Sequence, residues 1–447
     1  RFVDAAMPGT LPVVNEFCIE QAVRTGLGLR AKINNFSRFD RKNYFYPDLP
    51  QGYQISQLYH PIVGNGEVIV DLEKGFKRTV RIERIHIEQD AGKSIHDMDP
   101  KNSYVDLNRS GVALMEIVSF PDIRSSEEAA SYMKKLRQIM IYLGTCDGNM
   151  QEGSLRADVN ISVCPIGEYD KYKSTGNLKS LGTRCEIKNL NSMKFIQQAI
   201  DTEAKRQIAL IEDGIEVTQE TRLFDPSNGE TRSMRSKEEA HDYRYFPCPD
   251  LLPIEIKDSW IKEIEHSLPE LPDEKKMRLA NQYSISEYDA SIITSDPDLA
   301  DFFELAAKNV NGKITANLMI NELFGRLNKD NLQITESPIS SSHVNKVCLL
   351  MADDKISNKI AKDLFDILWT DGGDPEELVQ KLGLSQLTDE SELSYLLSRI
   401  IEENPEQVVK AKENPKLKSW FVGQAMKASK GKANPKTLSK LVESLLG

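Results

Sequence analysis

The sequence predicts an α+β protein, with an antiparallel-sheet domain first and helices alone after it. Short stretches between residues 67 and 192 alternate apolar and polar side chains with a period of two, the pattern of half-buried strands. Only two long amphipathic segments, 125–143 and 195–211, lie among them, enough to cover a sheet. After about Leu268, Gly, aromatics and strand alternation thin out and helical periodicity takes over. A chain of 447 residues is too long for one compact core. We expect an α+β domain over 1–268, a helical domain over 269–374 and a small basic helical domain over 375–447, punctuated by Pro269 and Pro272 and by Gly372-Gly373-Asp374-Pro375.

A formal net charge of -11, with 40% hydrophobic and 28% charged residues, describes an ordinary soluble cytoplasmic protein. That balance does not favour non-specific nucleic-acid binding, although a local basic patch is what docks phosphates. The six cysteines are scattered, with no CxxC and no Cys/His cluster, which points to reduced thiols and away from zinc. No run is long and apolar enough to span a bilayer and no signal peptide is seen, so neither membrane nor secretion is implied. Arg1 stands close before an apolar, motif-like segment, and the natural amino terminus is expected to be missing.

In chain order, Met7-Pro8-Gly9 breaks the backbone before a helix over 14–29 with Gly26 near its end. Residues 39–48 interleave charges with aromatics, and 49–57 follow with turn residues and amides. They form either a loop whose aromatics close a small core or a surface for nucleotide or nucleic acid, with Arg41 and Lys42 for phosphates. Residues 67–72 and 78–90 read as a hairpin whose apolar phase slips between Ile82 and Ile85, a bulge near Glu83 and Arg84. Beyond the slip Ile85 and Ile87 share one face, while His86, Glu88 and Asp90 share the other. An imidazole and two carboxylates at that spacing hold a metal, manage protons or are simply solvated. Ala91-Gly92-Lys93-Ser94 imitates the end of a P-loop but lacks the upstream glycine and the strand-to-helix context.

Residues 103–108 and 111–119 read as a second strand pair turned at Arg109-Ser110-Gly111. Glu116 lies in the apolar run Leu114-Met115-Glu116-Ile117-Val118, so it is expected to be buried and therefore paired with an arginine such as Arg109 or Arg156, metal-bound or neutralised. Ser125 caps a helix ending at Gly144. In 153–163, Leu155, Ala157, Val159, Ile161 and Val163 make the core face of a strand whose other face carries Arg156, Asp158, Asn160 and Ser162. In 183–192, Arg184, Glu186 and Lys188 share a face. Residues 221–225 and 233–237 bracket an Asp-Pro-Ser-Asn-Gly hairpin turn. Helices are expected over 273–283, 297–309, 314–327, 341–353, 358–369 and 391–404. From Lys410 to Lys440 nine lysines face only Glu413, either a module offered to phosphates or lysine-rich solvated helices.

Seven motifs occur in order: Phe39-Asp-Arg-Lys-Asn-Tyr-Phe-Tyr-Pro-Asp48, Tyr53-Gln-Ile-Ser-Gln57, Asp90-Ala-Gly-Lys-Ser94, Val105-Asp-Leu-Asn-Arg109, Glu152-Gly-Ser-Leu-Arg156, Glu186-Ile-Lys-Asn-Leu-Asn-Ser192 and Asp242-Tyr-Arg-Tyr-Phe-Pro247. The tail adds Gly423-Gln-Ala-Met-Lys-Ala-Ser-Lys-Gly431. Together, over essentially the whole chain, they closely resemble the B subunits of the bacterial glutamyl-tRNA(Gln)/aspartyl-tRNA(Asn) amidotransferases.

The resemblance implies a cradle-shaped α+β domain, a helical domain and a helical tail that meets the tRNA body. It implies ATP-dependent phosphorylation of the side-chain carboxylate of Glu-tRNA(Gln) or Asp-tRNA(Asn), then amidation with ammonia released from glutamine. The resemblance names two protein partners: the glutaminase or A subunit releases the ammonia, and the small C subunit holds the other two together as a heterotrimer. A carboxylate is a poor acyl acceptor for ammonia, and Mg²⁺ on the triphosphate neutralises charge while it is activated. Glu88, Glu116 and Asp158 are the matching metal carboxylates, on three separate strands. Glu152 is the candidate base or a further ligand. Arg156 and Lys188, with Arg184, brace phosphate oxygens, and Glu186 and Asn160 join Arg184 as cofactor-binding positions. Family members begin with a Gly-Leu-Glu-X-His strand that adds a glutamate and a histidine to the metal site, and some carry a zinc cysteine cluster; neither is present, so an incomplete site is expected. Gln89 stands where many members have a second carboxylate. The rival reading is a non-catalytic tRNA-binding scaffold, which has no use for a buried carboxylate at 116. A self-sufficient amide ligase is disfavoured, since no glutaminase constellation is found.

Overall fold

The computed structural model describes every residue except 1, 4, 96–97, 100, 235–242, 385–389, 430–431 and 447. Asp242, the 235–237 part of the expected hairpin, Lys430 and Gly431 therefore lie outside the described residues. The chain divides into two units, 1–271 and 272–447.

In the first unit the helix Glu16–Gly28 starts at Asn15, whose side chain accepts the backbone N–H of Phe17. The centre is a three-stranded antiparallel sheet with Lys77–Gln89 in the middle, Gly66–Asp71 on one side and Ala113–Ser119 on the other. The expected hairpin is thus present, and the ladder with 113–119 slips between Ile82 and Arg84, where the phase change places the bulge. Val80 and Ile82 before the slip, and Ile85 and Ile87 after it, all enter one core with Val23, Leu29, Val63 and the helices above. The second expected pair does not form. Residues Tyr104–Asp106 pair with Lys93–Ile95, and Ala113–Ser119 joins the long strand instead. That places the P-loop-like Lys93-Ser94 in a strand with no helix after it.

The helix Ser126–Leu143 begins at Ser125, whose Oγ accepts the N–H of Glu128, and stops at left-handed Gly144 (φ 70°). A four-stranded sheet follows, ordered Glu230–Ser233, Thr221–Asp225, Cys185–Leu190, Ala157–Ile161. One pair departs from the antiparallel expectation: Cys185–Leu190 and Thr221–Asp225 run parallel, because the helix Met193–Glu212, capped by Ser192, carries the chain back before it re-enters the sheet. The second arm of the 221–225 hairpin is Glu230–Ser233, three residues earlier than the sequence suggested, since Asp225 to Gly229 alone make the turn. A third sheet joins Phe246–Pro247, Asp40–Asn43 and Tyr53–Ser56.

Gly182 joins the turn Leu178–Leu181 to the 185–190 strand at φ +79°, and a Cβ there would lie 2.2 Å from the carbonyl oxygen of Val163. That oxygen belongs to backbone and has nowhere to retreat. Gly182→Ala is expected to cost at least about 2 kcal/mol, through the left-handed conformation and the clash together. Urea unfolding measures it, and a midpoint equal to wild type would refute the assignment.

The second unit is helical, from Pro272–Gln282 to Pro435–Leu446. Helices Pro297–Ala306, Ser341–Ala352, Asn358–Thr370 and Glu390–Glu403 match the periodic segments closely. The expected 314–327 helix spans Gly312–Leu318, a π turn at Met319–Leu323 and Phe324–Asp330. The unit holds two apolar clusters: one around Phe303, Leu323, Leu364 and Phe365, the other around Leu393, Leu397, Phe421, Leu438 and Val442. Lysines of the tail project from helices Pro405–Glu413, Lys418–Ala428 and Pro435–Leu446 that surround the second cluster. No helix among the described residues is long and apolar enough to cross a membrane.

Candidate metal and oxyanion site

The bulge at Glu83 decides which side chains meet. After it, Arg84, His86 and Glu88 leave the face opposite the core, and His86 lies directly across the ladder from Glu116. His86 Nε2 stands 3.7 Å from a carboxylate oxygen of Glu88 and 3.7 Å from one of Glu116. One ligand atom from each of the three falls within 4.8 Å of the others, the only such His/Cys/Asp/Glu group among the described residues. The buried Nδ1 of His86 has no hydrogen-bond partner among the described residues. Around the group lies a cavity of about 80 Å³, well above the roughly 10–15 Å³ that admits a single water, lined also by Lys42, Ser56, Gln57, Arg84 and Tyr245.

The Tyr53-Gln-Ile-Ser-Gln57 motif holds this strand in place. Gln57, fully buried, accepts the N–H of Ile87 at 3.0 Å and that of Ile62 at 3.3 Å, while its amide donates to Ser37 at 2.7 Å. Gln54 donates to the carbonyl of Gln89 at 2.7 Å, and Ser56 Oγ donates to Glu88 at 3.3 Å. Gln51 donates to the side-chain oxygen of Gln89 at 2.6 Å, which occupies one of that oxygen's two lone pairs.

Burial alone would raise the Glu88 carboxyl, but the hydrogen bond and charge of His86, with Lys42 and Ser56, outweigh it and hold it below the ordinary value. Glu116 goes the other way: desolvation and the neighbouring Glu88 charge raise it despite His86 and Lys42. Two carboxylates pushed apart beside one imidazole accommodate either a divalent cation or a shared proton. Burial and the nearby Glu88 push the Tyr44 hydroxyl up to about 12, and they also raise Tyr245, so both phenols remain donors.

The remaining expected residues stand elsewhere. Glu116 is not enclosed as expected: neighbouring atoms crowd its carboxyl enough to desolvate it in part, yet its side chain is 51% exposed, because Ala113–Ser119 is an edge strand and its apolar neighbours are only half covered. Asp158 lies outside the His86–Glu88–Glu116 group. It belongs to the four-stranded sheet and accepts from Lys188 Nζ at 2.6 Å, with Glu186 3.1 Å from the same ammonium. Burial would lower Lys188, but these two charges raise it. Asn160 is directly opposite Glu186 and exposed, Arg184 is exposed just before the strand, and Glu152 is exposed in a turn. Arg156 and Arg109 each place a guanidinium nitrogen 3.0 Å from Asp90, so the arginines considered for Glu116 serve Asp90 instead. The face shared by His86, Glu88 and Asp90 was visible in the sequence. The entry of Lys42 and Ser56 from a different sheet was not.

Two family models match the chain: the GatB/GatE catalytic domain over residues 1–262 and the GatB domain over 301–446. The B subunit of the aspartyl/glutamyl-tRNA(Asn/Gln) amidotransferase of Ruegeria sp. (strain TM1040) is 66% identical over 446 residues, covering 100% of this chain and 89% of that protein. The corresponding B subunits of Cereibacter sphaeroides (strain ATCC 17025 / ATH 2.4.3), 64% identical with 89% covered, and of Dinoroseobacter shibae, 65% identical with 88% covered, match over 100% of this chain too. Two domain models in the order of the two structural units, and full-length identity near two thirds, leave one conclusion: the chain belongs to the GatB family, the B subunits of glutamine-dependent tRNA amidotransferases, which are carbon–nitrogen ligases.

Proposed function

We propose that this chain activates the side-chain carboxylate of Glu-tRNA(Gln) or Asp-tRNA(Asn) at the expense of ATP and directs its amidation. The observation that carries the reading is the convergence of His86, Glu88 and Glu116 on one cavity. Two carboxylates and an imidazole suit a divalent cation, with Glu88 and Glu116 the oxygen donors that Mg²⁺ prefers. When bound, such an ion neutralises charge on the transferred phosphoryl group. In the first step a substrate carboxylate oxygen attacks the terminal phosphorus and ADP leaves. In the second, ammonia attacks the acyl carbon, phosphate leaves, and the extra proton on nitrogen passes to a base, a role open to Glu152. Arg156 and Arg109, held by Asp90, and Lys188, held by Asp158 and Glu186, are the cations for phosphate oxygens; Arg184 and Asn160 flank them.

In this reading residues 1–268 hold the acceptor end of the tRNA, 269–374 form the helical domain, and the lysine-rich 375–447 meets the tRNA body. The glutaminase (A) subunit supplies ammonia, the small C subunit completes a cytoplasmic heterotrimer, and the work belongs to translation. The test is ATP cleavage by the assembled amidotransferase without glutamine. ADP should form when mischarged tRNA and Mg²⁺ are both present and not when either is withheld. ADP formation indifferent to the mischarged tRNA would overturn the proposal, and so would no ADP with both present, the second result favouring a scaffold.

A further inference from the structure

Lys42, which the sequence offers for phosphates only as one of two readings of 39–57, has no part in the reaction proposed above, yet the fold delivers it to the cavity. The strand Asp40–Asn43 runs antiparallel to Tyr53–Ser56, with Lys42 opposite Gln54 and Asp40 opposite Ser56, so these side chains leave one face. Gln54 and Ser56 bond to Gln89 and Glu88, which shows that this face looks onto the strand of the metal-type cluster. Lys42 follows them in and lines the cavity beside Glu88 and Glu116. Its ammonium is seated against aromatic rings, 4.9 Å from the centroid of Tyr243 and 5.8 Å from that of Tyr44. Among the described residues no carboxylate comes within the 4.0 Å of an ion pair with it. The neighbouring cations are engaged: Arg84 pairs with Glu83, and Arg41 with Asp250 at 2.5 Å.

An ammonium seated against flat rings, near enough to Glu88 and Glu116 to feel their charge but in contact with neither, suits an anion that arrives from outside the chain. The charge arithmetic agrees. Glu88 and Glu116 balance a divalent ion, and an incoming oxyanion then needs one more cation in the same cavity.

We propose that Lys42 binds an oxyanion of the reacting groups, either the terminal phosphate of the nucleotide or the substrate carboxylate, against the His86–Glu88–Glu116 cluster. This rests on the reading above that the cluster is where activation occurs. The experiment compares wild type, Lys42→Met and Lys42→Arg in the assembled amidotransferase. It measures kcat and KM separately for ATP and for mischarged tRNA, and follows Mn²⁺ binding by electron paramagnetic resonance. Lys42→Met should lower kcat/KM by roughly ten- to a hundred-fold. The rise in KM should fall on ATP if the phosphate is held and on the tRNA if the carboxylate is held. Lys42→Arg should restore part of the loss, and Mn²⁺ binding should stay within about twofold of wild type. A change under about threefold in both kcat/KM values for Lys42→Met overturns the proposal, as does failure of Lys42→Arg to improve on it. Equal Mn²⁺ affinity in wild type and Glu88→Gln would instead refute the cation cluster, a result read independently of Lys42.

Discussion

Replacing Glu88 or Glu116 by glutamine is expected to lower amide formation by roughly 10²–10³-fold while the chain still folds and assembles. Glutamine keeps the volume and removes the charge, so the loss reports electrostatics rather than a cavity. Glu88 is nearly enclosed and held ionised by His86, Lys42 and Ser56, whereas Glu116 opens to the cavity from the facing strand. Neither carries the core, whose residues point the other way. Glutamine hydrolysis by the partner glutaminase should persist in both variants. Asp158→Asn makes the informative comparison: its carboxylate is spent on Lys188, so the loss should appear as a weaker hold on phosphate and leave divalent-ion affinity intact. Wild-type amidation by either glutamate variant would remove the cluster from the chemistry.

The second large effect concerns stability. Glu203 in the helix Met193–Glu212 is fully buried and receives Arg206 at 2.6 and 2.9 Å, Gln207 at 2.9 Å and Thr231 Oγ1 at 2.9 Å, with Arg222 Nε 3.3 Å away. Glu203→Ala strands two arginines with Glu220 as their remaining acid, and is expected to cost about 3–5 kcal/mol, a fall of roughly 10 °C in Tm. Burial would raise this carboxyl, but hydrogen bonds from Arg206, Gln207 and Thr231 lower it below its unfolded value. Its contribution is therefore complete above the unfolded carboxylate value of about 4.3 and drains away as pH falls through the lower folded value. Thermal unfolding from about pH 7 to pH 3 should show wild type and Glu203→Ala converging in acid; a gap constant with pH would contradict the ion-pair account.

Local order was legible in the sequence. The phase slip between Ile82 and Ile85 marked the bulge, Ser125 marked a helix start, and the face shared by His86 and Glu88 was set by a period of two. Partnership between distant strands was not. Ala113–Ser119 could equally have turned back on Tyr104–Asp106, and choosing the long strand instead is what brings Glu116 to His86. The apolar run around Glu116 resembled a fully covered strand because alternation cannot distinguish a central position from an edge one. Asp158 failed to join for a related reason: a pattern says which side chains share a face, but not which of two sheets that face confronts.

Were the strand to run through Glu83 and Arg84 in plain alternation, without setting one amino acid aside, everything downstream would change sides, sending His86 and Glu88 inward and Ile85 and Ile87 out to water. Reactivity and foldability thus share a single index along this segment, and evolution can edit the acids one at a time but cannot slide them.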